Sequence, residues 1–245
     1  MTDLHESHAV RPLPELTEGT LLLRAWDIAS GADAEAWLRG VTDPEFLRWN
    51  TPLKAVEDLA GTRDALLAME ESRRQGTRAC FCIADADSGA ALGHIGVNEI
   101  NPVIRNARVG YWVLPEARGR GLARRALTLA SHWAFTELPV HRLELGHALG
   151  HGASCRVAER CGFPYEGTLR EAMFEARRQD AFRDVHLHAR LATDPDPDPD
   201  PDPDPDPDPD PDPDPDPDPD PDPEPDPEPE PDPAAAQEPD PAAGQ

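Results

Sequence analysis

Residues 108–126 read RVGYWVLPEARGRGLARRA. An apolar run with strand character, Arg108–Leu114, ends in Pro115, and a helical pattern begins at Leu122. Between them stand Gly119 and Gly121, with arginines at 118, 120, 124 and 125. A turn of this kind leaves the first backbone N–H groups of the helix unpaired, at the positive end of its dipole. Glycine removes the Cβ that would hold a ligand's oxygens away from those groups. Arginine adds charge-assisted donors. The stretch therefore predicts a strand–turn–helix cradle for a phosphate or pyrophosphate.

Other phosphate loops fit less well. A Walker loop closes on Gly-Lys-Ser/Thr, whereas LARR follows here. A dinucleotide fingerprint places Gly or Ala where Arg124 stands, and it follows the first strand of a repeated βαβ fold. Several strands precede this turn, in an antiparallel-looking order. A Rossmann-type redox domain is therefore the weaker reading, and nicotinamide titration would detect it. Nucleic acid is disfavoured by the lack of a basic surplus in the body.

Outward from the turn, the pattern is mixed. Thr20–Trp26, Arg78–Ala84, Ala91–Ile100, Arg142–Gly146, Tyr165–Leu169 and Arg183–Leu191 read as further strands. Ala29–Gly40, Val56–Gln75, Leu122–Leu138 and Ser154–Cys161 read as helices. The unit Arg108–Gly146 implies one parallel crossover. The fold class is α/β in the mixed, α+β sense: a mixed sheet with helices on its faces.

The whole-chain charge of −25 misleads, because 22 of the 48 acids lie from Asp194 onward, alongside 22 of the 30 prolines. The remaining body is nearly neutral, at −3. The chain divides into a domain over 1–193 and a Pro-Asp tail over 194–245. The tail has nothing apolar larger than alanine with which to offset folding entropy, so it is expected to be disordered, extended and solvated. No apolar run approaches the ~20 residues of a membrane span, and the N-terminus lacks the charged and apolar regions of a signal peptide. Four cysteines at 80, 82, 155 and 161 form no CxxC pair, and small core residues are expected of them rather than a zinc site. A cytoplasmic protein without membrane contact follows as the expectation.

With these residues set out, the body resembles the Gcn5-related N-acetyltransferases (GNAT), in particular the branch that acetylates ribosomal-protein N-termini. The family's acetyl-CoA signature, Arg/Gln-x-x-Gly-x-Gly/Ala, falls on Arg118, Gly121 and Ala123. The lead-in GYWVLPEA is similar to its central strand, and SCRVAERCGFPYEGTLREA to its later helix and strand. The resemblance covers about Thr20 to Leu191. It implies a sheet of six or seven strands whose two central parallel strands splay apart around coenzyme A.

It also implies residue roles. The backbone N–H of Val113 would bind the acetyl carbonyl, and backbone groups of Arg118, Gly119, Arg120, Gly121, Leu122 and Ala123 would hold the pyrophosphate of acetyl-CoA. Glu99 is the expected base, its alternative being a solvated strand-end carboxylate. Ser154 is the expected donor to the leaving thiolate, its alternative a helix N-cap. Tyr111 is expected to pack in the core. The family's usual Asn, three residues before that serine, is replaced by His151. The implied activity is direct transfer of acetyl to a primary amine, of a protein N-terminus or a small molecule, with a homodimer left open. A catalytically impaired coenzyme-binding or partner-docking module on the same fold is the alternative. No metal is expected: His147 and His151 are four apart, but glycines 146, 150 and 152 argue against a zinc helix, and packing or surface placement suffices for His186 and His188. The loops Asp43–Lys54 and Glu171–Asp180 are the expected acceptor-selecting segments.

Overall fold

A computed structural model describes residues 12–197. The tail expected beyond 193 lies outside the described residues except for its first four. Those four are tied to the body: the Asp194 carboxylate accepts from Leu191 N–H at 2.8 Å, and Asp196 pairs with the buried Arg190 at 2.8 Å.

Eight strands form one sheet, in the order β1-β2-β3-β4-β5-β6-β8-β7. They are β1 (Leu16–Glu18), β2 (Leu21–Arg24), β3 (Ala79–Asp85), β4 (Ala91–Asn101), β5 (Asn106–Val113), β6 (Arg142–Ala148), β7 (Tyr165–Phe174) and β8 (Phe182–Leu191). Helices α1 (Gly31–Thr42), α2 (Pro44–Trp49), α3 (Leu59–Arg74), α4 (Leu122–Glu137) and α5 (Gly152–Arg160) complete the fold. The expected mixed sheet is present with one more strand than the seven read from sequence. That strand, β1, has only three residues, too few for an alternation to register.

Alternation along the strands feeds two cores. On one face Leu21, Leu23, Phe81, Ile83, Ile95, Val97, Val109 and Leu143 pack beneath the apolar stripe of α4, which is Leu122, Ala126, Leu127, Ala130, Trp133 and Ala134. On the other, Cys82, Ala84 and Leu114 meet Trp26, Ala36 and Leu66, with Trp37 and Trp112 alongside. Every residue of β3 from Ala79 to Ala84 is buried, as expected of a strand covered on both faces. Burial pushes the Cys80 and Cys82 thiols up to about 12, so they act as small core residues. No helix among the described residues is long and apolar enough to cross a membrane.

One junction positions the site. β5 and β6 run parallel, but they pair only over Asn106–Arg108 with Arg142–Glu144. Beyond that β5 continues against β4 to Val113, while β6 continues against β8 to Ala148. Each arm keeps its own antiparallel partner, and the sheet opens between them.

Candidate active site

The glycine turn lies at the open end of β5. Gly119 and Gly121 have φ of +71° and +65°, left-handed values that a Cβ disfavours. Gly121 is the N-cap of α4 and offers no side-chain cap. The first amides of this sixteen-residue helix therefore have no partner from a capping side chain. Arg118, Gly119 and Arg120 are exposed, so the entrance is open. Leu122 is buried at the root of the α4 stripe and anchors the turn, with Ala123 half-buried beside it.

Hydrogen-bond parity orients Val113. Leu114 N–H donates to the Leu92 carbonyl at 2.8 Å, and alternate residues of an antiparallel strand bond to the same neighbour. Val113, opposite Gly93, is one residue out of phase. Its N–H and C=O therefore point away from β4, into the opening. The carbonyl is taken by Arg118 Nε at 3.1 Å. The same guanidinium holds the Asp43 carboxylate, which caps α2 by accepting from Phe46 N–H at 3.1 Å. The Arg118 side chain is thus a brace between β5 and α2 rather than a free phosphate ligand. Arg125 is likewise committed, to Glu18 of β1.

Across the opening stands α5. Ser154 is buried at the third position of that helix, so it is not the N-cap; His151 is. The Ser154 hydroxyl lies 3.1 Å from the Tyr111 hydroxyl, either of which can donate. This bond spans the two arms of the sheet. Burial pushes the Tyr111 phenol well above its ordinary value, so it keeps its proton. Tyr111 does pack against the core, as expected, but its hydroxyl also reaches the site. Sequence reasoning missed that role, and only strand phase could have hinted at it: Tyr111 and Val113 share a face.

His151 stacks flat on Trp49 of α2, with centroids 4.4 Å apart and planes 2° from parallel. Burial pushes its imidazole down to about 3, keeping it neutral. Trp49 Nε1 donates to Glu45 at 2.6 Å, and Arg48 lies over the indole. The segments 43–54 and 171–180 meet here. The Thr51 hydroxyl donates to the Glu175 carbonyl at 2.6 Å and accepts from Arg177 N–H at 2.9 Å. Gln179 Nε2 reaches the Pro52 and Leu53 carbonyls at 3.3 Å.

Glu99 is the exception. It sits at the β4 bulge with φ +51°, exposed and 3.4 Å from Arg108. Five residues of strand separate the Gly93–Val113 rung from the Asn98–Arg108 rung, roughly 17 Å. Glu99 therefore lies at the closed end of the split and not beside Val113. Reading it as the base fails because β4 and β5 are antiparallel, so the end of one strand meets the start of the other. Glu99 stands there as an exposed carboxylate beside Arg108.

A mixed sheet split between two parallel strands, with an open glycine-bearing helix entrance beside the split, defines an acyltransferase architecture suited to an acyl-coenzyme A. The acetyltransferase (GNAT) domain model matches residues 20–164, and the chain belongs to that family. It is 29% identical over 157 residues to a ribosomal-protein-serine acetyltransferase of Escherichia coli, covering 64% of this chain and 80% of that protein. It is 34% identical over 104 residues to a spermidine N(1)-acetyltransferase of Vibrio cholerae, covering 42% and 60%. Another curated relative is matched over 47% of its length. Among solved structures, a ribosomal L7/L12 α-N-protein acetyltransferase in complex with coenzyme A superposes with a TM-score of 0.64 at 22% identity, covering 71% of this chain and 95% of that one.

Proposed function

We propose that the chain transfers acetyl from acetyl-CoA directly to a primary amine. The observation that carries this reading is the Val113 N–H facing the split at the level of the open glycine turn. Amides of residues 118–123 would hold the coenzyme's diphosphate. The Val113 N–H would meet the acetyl oxygen and stabilise the oxyanion as the amine adds. The N–C bond forms in that addition, and collapse of the oxyanion then breaks the C–S bond. The leaving thiolate takes a proton from the Tyr111–Ser154 pair, which recovers one from solvent. The amine gives its proton to water on the acceptor side, since Glu99 is remote. No covalent enzyme intermediate is needed, because the thioester is already activated and positioning supplies the rest.

For the acceptor, the reading is a protein N-terminus rather than a polyamine. A polycation such as spermidine calls for carboxylates at the acceptor mouth. Arg48, Arg177 and Arg183 border it, Glu175 is paired with Arg183, and Glu45 accepts from Trp49, so no cluster of unpaired carboxylates is offered by these residues. Free coenzyme A release, measured with peptides bearing a free N-terminus and with spermidine, tests both parts. Turnover with the peptides and little with spermidine is expected. Acetyl-CoA binding with no turnover on any amine would convert the reading to a docking module, and a calorimetric blank with acetyl-CoA would end it.

A further inference from the structure

Four side chains from three elements converge behind the candidate active site. His147 of β6, Cys155 of α5, and His186 and His188 of β8 each offer one ligand atom, and these four atoms all lie within 4.8 Å of one another. Register explains the meeting: His147 is paired with His186, and His188 stands two residues further along β8. The three imidazoles share a face of the sheet, and α5 crosses that face with Cys155. The Cys155 sulfur is 3.3 Å from His147 Nε2 and 3.4 Å from His186 Nδ1. Ligands of a tetrahedral zinc are separated by about 3.3–3.6 Å, given Zn–N near 2.05 Å and Zn–S near 2.3 Å.

The surroundings prepare these atoms as ligands. His147 Nδ1 donates to the Ala148 carbonyl at 3.0 Å, and His188 Nδ1 to the Phe163 carbonyl at 3.0 Å. Both rings are thereby set with a bare Nε2, the tautomer that backbone carbonyls impose on metal-binding histidines. His188 is fully buried, and its Nε2 has no hydrogen-bond partner among the described residues. An S–H donated by Cys155 to His147 would satisfy one imidazole but still leave His188 orphaned. A cation answers both.

We propose that His147, Cys155, His186 and His188 form a zinc site. Three imidazoles and a thiolate suit a borderline-soft ion; the set has no carboxylate or carbonyl of the kind magnesium or calcium requires. With four protein ligands the site is closed and structural. It clamps α5 to β6 and β8, and so fixes the helix on which Ser154, the residue before Cys155, reaches Tyr111. Half-buried Cys155 and His186, under the exposed Tyr165 ring, mark the way in. The pair that sequence spacing singled out, His147 and His151, is not the pair used: His151 turns to Trp49 instead.

The test uses the untagged full-length chain. Elemental analysis after dialysis should find one zinc per chain. After chelator treatment, Co²⁺ should produce tetrahedral visible bands with a thiolate-to-cobalt charge-transfer band. Cys155→Ser should abolish that band and weaken zinc binding at least tenfold. His186→Gln, at the accessible edge, should weaken binding similarly while leaving the circular dichroism unchanged, which keeps the test valid should Cys155→Ser misfold. Absence of zinc together with no tetrahedral cobalt spectrum overturns the proposal. So does a weak octahedral spectrum indifferent to both substitutions, which would report only the carboxylates of the Pro-Asp segment.

Discussion

Two helices of this chain begin in the same way and do different work. α4 and α5 each follow a strand of the split pair, each is entered through glycine, and neither has a side-chain cap. The α4 entrance is made of backbone alone: Gly119 and Gly121 in left-handed conformation, the first exposed and the second half-buried. The α5 entrance is crowded with side chains, with His151 on Trp49, Ser154 on Tyr111, and Cys155 between two histidines. Backbone amides recognise charge and suit a diphosphate common to every turnover. In the proposed reading, side chains drawn from distant segments would supply proton transfer and selectivity. On that reading one entrance would hold the coenzyme and the other would face the acceptor. Arg118 ties the α4 entrance to α2, reaching from Val113 to Asp43.

The comparison can be broken most directly at Gly121. Gly121→Val puts a β-branched residue at φ +65°, and coenzyme A affinity should fall by about 100-fold or more by calorimetry, because the amides lose their aim. An unchanged affinity would mean that the glycine turn does not hold the coenzyme. The next effect belongs to the other entrance. Tyr111→Phe and Ser154→Ala should each lower kcat by roughly 100-fold, with acetyl-CoA binding almost unaltered, and the double variant should be little worse than either. Additive losses would mean that the two hydroxyls act separately.

A smaller effect is expected at the aromatic roof. Trp49→Ala loses a stacked pair of about 0.5–1.5 kcal/mol, and should raise the acceptor KM by ~2–10-fold while sparing the coenzyme. A shift in coenzyme affinity instead would assign α2 to the wrong side. Smallest and sharpest is a matched pair. Gly119→Ala and Gly150→Ala both place a Cβ at positive φ, +71° and +88°. Each should cost about 1–2 kcal/mol in denaturant unfolding, yet only the first should weaken coenzyme binding.

The legibility of these regions in the sequence follows their locality. The seven strands read from period and punctuation are all present, and the parallel crossover lies where the helix between 122 and 138 demanded it. β1 escaped because Leu16–Glu18 carries no pattern. α2 escaped because six residues make less than two turns, although Asp43 followed by Pro44 is an N-cap signal that could have found it. Glu99 was misplaced for a different reason: a carboxylate at a strand end has no direction until the neighbouring strand's sense is known. Tyr111 shows the converse, a residue correctly buried whose hydroxyl finds its partner 43 residues away.

Contiguous residues alone determined the helix and strand periods, the left-handed glycines and the cationic turn, because steric limits on φ and hydrophobic periodicity act over a few residues. Which groups meet across the split was decided only by the tertiary structure. Strand register sets His147 against His186, swings Glu99 to the far end and brings Tyr111 to Ser154. Register is settled by the burial of whole faces, a property of the packed sheet and not of any one stretch.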